Sequence, residues 1–474
     1  MLTHLIAFDV QNPPWSEIPS APGVFALFGA DEKAQPYMNR TPDLRRRLKR
    51  LLEPRPNESS VPSKRLQLAA RVQRIGYTPT GSDFESLLCL YRTARYWTGE
   101  QAAKQLHLRA PIFLRLSMEN PFPRVYLAKR ITLKASADLF GPFPSRWLAE
   151  RWTEQMLNLF LLRRCPDDLA PHPEHPGCIY SELKKCLAPC YEGCTEEQYR
   201  AEANAVHAFL STRGASLRAQ LEAEREAASE ALDFEQAAQI HARLVRVEEV
   251  IGALPEAVRP LPQLEALIVQ PALAPETVSL FLLAAGQLVG PVPFSTHGMR
   301  HANEQSGSSS LFAHPTMLAP VPLAPKASTG PKRNELDERL EAALTELRGQ
   351  REPANSTLLA DHLALFRRWF YRPQTQRKGE ILFAQPETQP ETQPEPQPDI
   401  QPKTQPEPEK TALKIPLKAA QRAISRVYQA SATRRAAGQA AAAQRTGQAA
   451  EQTAGQMAAE QATGQKTEQE TEQA

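Results

Sequence analysis

Five of the six cysteines, Cys165, Cys178, Cys186, Cys190 and Cys194, fall within 30 of the 474 residues, and only Cys89 lies elsewhere. Their spacing is C-x12-C-x7-C-x3-C-x3-C. Thiolates are soft ligands, and four that converge hold a zinc ion or an iron–sulfur cluster. Softness alone does not separate the two, and the paired C-x2-C of a zinc ribbon is missing. Cys186 and Cys190 are one helical turn apart, but Pro189 in "LAPC" breaks a helix there and lets the two thiols converge. The plainer alternative is a set of buried, reduced thiols in a small helical segment. His172 and His175, in the loop between Cys165 and Cys178, are further donors that four cysteines make unnecessary.

A second chemistry is carried by charge. The chain has a net charge of only +3, yet Arg40 to Arg74 holds 11 Lys/Arg against Asp43, Glu53 and Glu58, a local net of +8. Arg46, Lys49 and Arg50 share one helical face, with Arg45 and Arg47 beside them. The run continues to Lys64, Arg65, Arg71 and Arg74. So much unbalanced positive charge favours phosphate over a merely solvated face. No base-reading motif accompanies it, so the expected DNA contact is sequence-independent.

The elements that must position these groups follow from local signals. "GVFALFG" and "AQPYMN" predict two strands of a hairpin around "GADEK". "TPDLRRRLKRLLE" predicts a helix capped by Thr41, with Pro42 in its first turn. "IFLRLSM" and "PRVYLAKRI" predict strands, and "FPSRWLAERWTEQMLNLFLLRRC" an amphipathic helix that runs into the cysteines. Residues 195–253 predict helices, with a capping box from Thr195 to Gln198 and a break at Arg213-Gly214. "LEALIVQP", "TVSLFLLAAG" and "QLVGPVPF" predict strands, "HANEQSGSSS" a loop, and 334–372 two helices. From about 385 a Q-P-x repeat predicts a polyproline-like linker. The Ala/Gln-rich stretch after 417 has too few large apolar residues to bury a core, so the last 90 residues or so are expected to lie outside the fold. No apolar run is long enough to span a membrane, and the N-terminus lacks the pattern of a secretory signal. A cytoplasmic location is expected. In a reducing compartment clustered cysteines point to metal or redox chemistry rather than disulfides.

The segment "GCIYSELKKCLAPCYEGCTEEQYRAEANAVHAFL", with the "RRC" upstream, resembles the UvrC excinuclease subunits and their shortened relatives. "IPSAPGVFALFG", "PYMN" and "TPDLRRRLKRLL" resemble that family's GIY-YIG nuclease module, and "LFGPFP" its following strand end. "LRAQLEAEREAASEALDFEQAAQIHARLVRVEEV" resembles its UVR motif. The resemblance covers about residues 15–300. It implies an α+β multidomain chain: a degenerate GIY-YIG-like module (15–105), connecting strands and a helix (106–160), a four-cysteine segment (161–196) and a helical region with the UVR hairpin (197–255). After these come a region without a recognisable RNase H triad (260–375) and a disordered tail (385–474).

The resemblance also implies roles. Cys165, Cys178, Cys186 and Cys190 would hold a [4Fe–4S] cluster, with zinc as the alternative and Cys194 as the extra thiol. Leu232, Phe234 and Glu235 would dock a UvrB-like partner, with Leu232, Phe234, Ala237 and Ala238 packing the inside of the hairpin. Tyr37, Arg40 and Arg47 match remnants of the catalytic site, and Arg45, Arg46, Lys49 and Arg50 contact DNA. The first family tyrosine is Phe25 here, the glycine of the second strand is Asn39, the metal-binding glutamate is Leu90, and the expected asparagine is Ala102. Mg2+ or Mn2+ would matter only if the nuclease were active. Asp83 or Glu85 would replace Leu90 as a ligand only after a shift of register. In the later region, Asp361 and His362 are expected on a solvated helix face. The expected function is DNA and UvrB-like partner binding in nucleotide excision repair, with weakened or lost nuclease chemistry. The alternative is a non-catalytic interaction or iron–sulfur regulatory protein derived from UvrC.

Overall fold

The computed structural model describes residues 2–31, 33–53, 67–166, 169–299, 333–386 and 413–437. Lys64, Arg65, the loop after 300 and most of the Q-P-x repeat lie outside the described residues.

Sequence alternation first builds an antiparallel sheet in the order β1-β4-β2-β3. Its strands are β1 (His4–Ala7), β2 (Gly23–Phe28), β3 (Tyr37–Thr41) and, after α1 (Leu44–Leu52) and α2 (Gln67–Arg71), β4 (Arg74–Pro79). The expected hairpin is β2–β3, while β1 and β4 carried no strong signal. Leu44, Leu48 and Leu52 of α1 pack on Phe25, Leu27 and Ile75 of the sheet. The cap of α1 is Asp43, not Thr41: the Asp43 carboxylate accepts the Arg46 N–H at 2.9 Å. Thr41 ends β3 instead, and its hydroxyl accepts the Asp43 N–H at 3.2 Å. Pro42 therefore sits ahead of the cap, where its missing N–H costs nothing.

The helix α3 (Asp83–Thr98) begins at the Ser82 cap, and the short α4 (Ala102–Gln105) follows it. A second sheet, β6-β5-β7-β8, comprises β5 (Ile112–Leu116), β6 (Val125–Ala128), β7 (Leu139–Phe143) and β8 (Arg259–Pro260). On it lie α5 (Arg146–Leu157), α7 (Glu196–Ser211), α8 (Ala215–Glu230) and α9 (Phe234–Gly252), and the four-residue α6 (Ile179–Glu182) stands in the cysteine segment. Phe140, Phe143, Trp152, Tyr199, Phe209, Leu221 and Val247 form the core of this piece. The capping box forms as expected: Thr195 accepts the Gln198 N–H at 3.2 Å, and Gln198 accepts the Thr195 N–H at 3.0 Å. The break also stands where expected, with Arg213 at φ 55° and Gly214 at φ 89°. A Cβ on Gly214 would meet Ile251 at 2.4 Å, so α9 could not approach this turn past any other residue.

The third sheet, β11-β10-β9-β12, is buried on both faces. Its strands are β9 (Glu265–Pro271), β10 (Thr277–Ala284), β11 (Gln287–Ser295) and β12 (Glu380–Phe383). This explains why β10 reads as an almost unbroken apolar run. Phe281 and Leu283 face one core, and Leu280 and Leu282 the other. The helices α10 (Arg333–Gly349) and α11 (Ser356–Phe370) cover opposite faces, and β13 (Gln385–Pro386) pairs with β14 (Leu413–Lys414).

Two organisational expectations are corrected. The last 90 residues do not all stand outside the fold. A helix α12 spans 417–437, and its Ala420, Ala423, Ile424 and Val427 pack with Leu340, Leu344 and Leu280. Small alanines at helical spacing suffice because α12 lies close on a surface that α10 and the sheet already supply. Nor are 15–105 and 260–375 separate cores. Phe84 of α3 lies edge-on to Phe281 at 5.0 Å and against Trp369 at 4.8 Å.

Candidate nucleic-acid face and cysteine centre

Helix α1 turns Leu44, Leu48 and Leu52 inward, which leaves its cationic residues on the other side. Arg45 is tied down: its Nε donates to the Ile18 carbonyl at 2.6 Å. Lys49 lies 6.0 Å from the Trp15 ring centre. Arg46, Arg47, Lys49 and Arg50 make no ion pair with any described residue. Replacing both Arg46 and Arg50 with alanine is expected to lower DNA affinity equally for unrelated sequences. It should also flatten the slope of log affinity against log salt by roughly 2, at about 0.9 per phosphate contact. An unchanged slope from filter binding across a salt series would remove this face from the interface.

Phe25 and Asn39 are paired across β2–β3, and the Phe25 ring lies 6.2 Å from that of Tyr37. Phe25 is fully buried and Tyr37 is exposed. Arg40 pairs with Asp83, which also accepts from Arg372 at 2.6 Å. Burial alone would raise the Asp83 pKa, but the Arg372 hydrogen bond and the charges of Arg40 and Arg372 bring it below the ordinary carboxylate value. Glu85 turns inward to accept the Gly81 N–H at 3.0 Å, and burial raises its pKa. Both acidic residues are thus engaged elsewhere. Leu90 is buried in α3, and Ala102 lies in the core. Asp361 and His362 are not solvated, contrary to expectation. Asp361 accepts the Tyr91 hydroxyl at 2.8 Å, and His362 Nδ1 accepts the Leu288 N–H at 3.1 Å.

The cysteine segment leaves α5 at Asn158 and returns at Thr195. Cys165, Cys178, Cys186 and Cys190 line one small cavity, and Cys194 is not part of its wall. Cys194 packs instead against the core of the second sheet. The chain bends sharply there: Ala188 and Glu192 are left-handed, on either side of a short turn at Pro189–Tyr191. This turn, which contains Cys190, brings Cys186 and Cys190 to the same cavity, as Pro189 suggested. The Ala188 N–H donates to Cys186 Sγ at 3.3 Å, and Arg163 Nη1 approaches Cys165 Sγ at 3.6 Å. Arg163 is itself fixed, its Nε donating to the Phe122 carbonyl at 2.9 Å and its N–H to the Tyr199 hydroxyl at 3.0 Å. Burial, and then the other three thiols, push Cys186 up to about 11. His172 and His175 each spend Nδ1 on a backbone N–H two residues ahead. Four thiols around one cavity, without a carboxylate, are a donor set that fits an iron–sulfur cluster or zinc. Among the described residues, no three His, Cys, Asp or Glu side chains are gathered as a site for a single metal ion.

In the hairpin, Leu217, Leu221, Leu244, Val247 and Val250 are buried between α8, α9 and the rest of this piece. The turn differs from expectation. Leu232 is 72% exposed and Phe234 67%, and neither Ala237 nor Ala238 is buried. Leu232 has a positive φ of 58°, and Asp233 caps α9 by accepting the Gln236 N–H at 3.0 Å. The loop geometry thus turns the Leu232 and Phe234 side chains outward.

Residues 112–209, from β5 through the cysteines to α7, match the family described as UvrC/Cho excinuclease, middle domain. Over longer stretches the chain is similar to proteins called UvrABC system protein C. That of Aromatoleum aromaticum is 30% identical over 230 residues, 47% of this chain and 35% of the relative. That of Actinobacillus succinogenes is 29% identical over 235 residues, 49% of this chain and 37% of the relative. That of Rickettsia rickettsii is 25% identical over 280 residues, 59% of this chain and 42% of the relative. The chain is thus similar to UvrC proteins, and it spans less than half the length of these relatives. No solved structure matches. No helix among the described residues is long and apolar enough to cross a membrane.

Proposed function

We propose that this protein acts in nucleotide excision repair as a UvrC-like component that binds DNA through α1 and a UvrB-like partner through the α8–α9 turn. Its own nuclease chemistry is weakened or lost. The observation that carries the docking role is the outward Leu232–Phe234 pair, since two neighbouring large apolar residues on a helical turn are costly in water and useful only when covered. Glu235, in the first turn of α9, supplies a polar contact at the rim. The loss of cutting rests on Leu90, which offers no oxygen to a metal, and on Asp83, which two arginines hold.

We further infer a [4Fe–4S] cluster on Cys165, Cys178, Cys186 and Cys190. In support, the four thiols line one cavity that no carboxylate enters, a donor set that suits an iron–sulfur cluster. Such a cluster would tie the loop to the helices on either side and supply a one-electron couple.

The test is a nicking assay on damaged duplex, with Mg2+ or Mn2+ and a UvrB-like protein, beside a binding assay. Binding without incision is expected, and robust metal-dependent incision lost in Arg47→Ala would overturn the inactive reading. Phe234→Ala is expected to weaken partner binding by about tenfold or more, as for an aromatic anchor. Because the ring is exposed, the same change should leave the melting temperature nearly unchanged. Undiminished partner binding by this variant would remove the turn from the docking surface.

A further inference from the structure

A polar cleft of about 390 Å³ is lined by neither the cysteines nor the arginines of α1. Its walls are the C-terminal half of α3, the start of β11 and the connection from α10 to α11. The volume is that of a small-molecule site, and a junction of elements from distant parts of the chain is where such sites form.

His362 and Gln350 have spent an acceptor on the protein and kept a donor, whereas Tyr91 donates its hydroxyl to Asp361 at 2.8 Å. His362 is 6% exposed, and its Nδ1 accepts the Leu288 N–H. A neutral imidazole bonded in that way carries its proton on Nε2, and no described residue accepts from it. Burial, then the charges of Arg92 and Arg95, push the His362 pKa down to about 3, so the ring stays neutral. Gln350 Oε1 accepts the Gly290 N–H at 3.0 Å, which leaves its NH2 group. Gln287 is closed on both sides by the Glu352 backbone, at 2.7 and 3.1 Å. Arg92 gives one Nη1 bond to the Gly290 carbonyl at 2.5 Å and keeps other N–H groups. Arg95 meets Glu352 at 3.8 Å and also bonds the Tyr91 hydroxyl, with the Asp361 charge nearby, and keeps further N–H groups.

A cleft that offers two guanidiniums, an imidazole N–H and an amide NH2, with one exposed carboxylate at its rim, wants an acceptor-rich anion. Two guanidiniums and two neutral donors outnumber the oxygens of a carboxylate and match the three oxygens and near-double charge of a phosphate monoester. The cleft is larger than inorganic phosphate needs, and the exposed Tyr96 ring stands beside it. We propose that this cleft binds a phosphate monoester of nucleoside-monophosphate size, with its phosphate between Arg92, Arg95, His362 and Gln350 and its flat ring against Tyr96. The monoester is either free or the phosphorylated end of a DNA strand.

Calorimetry on the full chain, with adenosine 5′-monophosphate, inorganic phosphate and succinate as probes, tests this. Saturable one-to-one binding of the nucleotide is expected, with phosphate weaker and succinate weaker still. Arg95→Gln should weaken nucleotide binding about tenfold or more, as for a charge-assisted hydrogen bond. Glu352→Gln removes the competing carboxylate and should strengthen binding severalfold, a gain that misfolding cannot imitate. Competition against the nucleotide by a 5′-phosphorylated duplex, but not by its unphosphorylated twin, would assign the phosphate to a DNA end; competition by neither would assign it to a free nucleotide. The proposal is overturned if neither the native chain nor Glu352→Gln binds nucleotide or phosphate, if Arg95→Gln binds unchanged, or if succinate binds as tightly as the nucleotide.

Discussion

Anaerobically purified protein is expected to contain ~4 iron and ~4 labile sulfide per chain and to show broad visible absorption. Cys186→Ala should abolish that absorption, and Cys194→Ala should retain it. The difference follows from position, since Cys186 faces the common cavity and Cys194 packs against the neighbouring core. The effect is large because little else holds the segment. Among the described residues between Phe160 and Thr195, the only α-helix is the four-residue α6, and few side chains are buried. Without a metal, Cys186 is a neutral thiol at pH 7, since burial and its three neighbours push it up to about 11. Binding a metal therefore releases protons and contributes directly to ordering the loop. Limited proteolysis gives a second readout, with faster cleavage between α5 and α7 expected in Cys186→Ala. Stoichiometric zinc without iron in the native protein would overturn the cluster.

Ile424→Asp is expected to destabilise the third sheet by about 3–5 kcal/mol, through lost packing and a buried charge. At roughly 2–4 °C per kcal/mol for a unit of this size, the melting temperature should fall by about 6–20 °C. Ile424 is fully buried, with Leu340 and Leu344 of α10 in the same core. Ile424→Val, which removes one methylene, should cost only about 0.5–1.5 kcal/mol. A melting curve identical for Ile424→Asp and the native chain would detach α12 from the fold.

What could be read in advance was set by how local its cause is. The Thr195 capping box, the Arg213-Gly214 break and the Pro189 turn each depend on a few adjacent residues, and each stands where the sequence put it. The strands β9, β10 and β11 of the third sheet were equally clear, whereas β12, four residues paired to β9, carried no signal of its own. The position of α12 was not clear either, because its composition describes a poor helix alone. Only the face already built by α10 and β10 makes its alanines useful. Asp361 and His362 look like surface polarity on a helix, yet their partners, Tyr91 and Leu288, lie 270 and 74 residues away. The resemblance to the UVR motif puts Leu232 and Phe234 inside the hairpin. A positive φ at Leu232 and the Asp233 cap, both properties of the turn backbone, put them outside. The cleft beside Tyr96 left no motif at all, because its donors become donors only after distant backbone groups have taken their acceptors.

The sharing of one core between α3 and the third sheet bears on how this chain can be divided. Phe84, Leu87, Leu88 and Tyr91 belong by sequence to the N-terminal module, but they are covered by Phe281, Leu363 and Trp369. The intervening second sheet and hairpin are, in effect, an insertion into a discontinuous unit. A gene fragment ending near residue 105 would expose one side of α3 and be expected to aggregate. A fragment from 112 to 258 would keep the core of the second sheet nearly whole. Residues 112–209, the stretch that matches the UvrC/Cho middle domain, lie inside that second fragment. Phe113, Ile131 and Leu139 of that fragment also belong to the core shared by α3 and the third sheet, so cutting it away would uncover both.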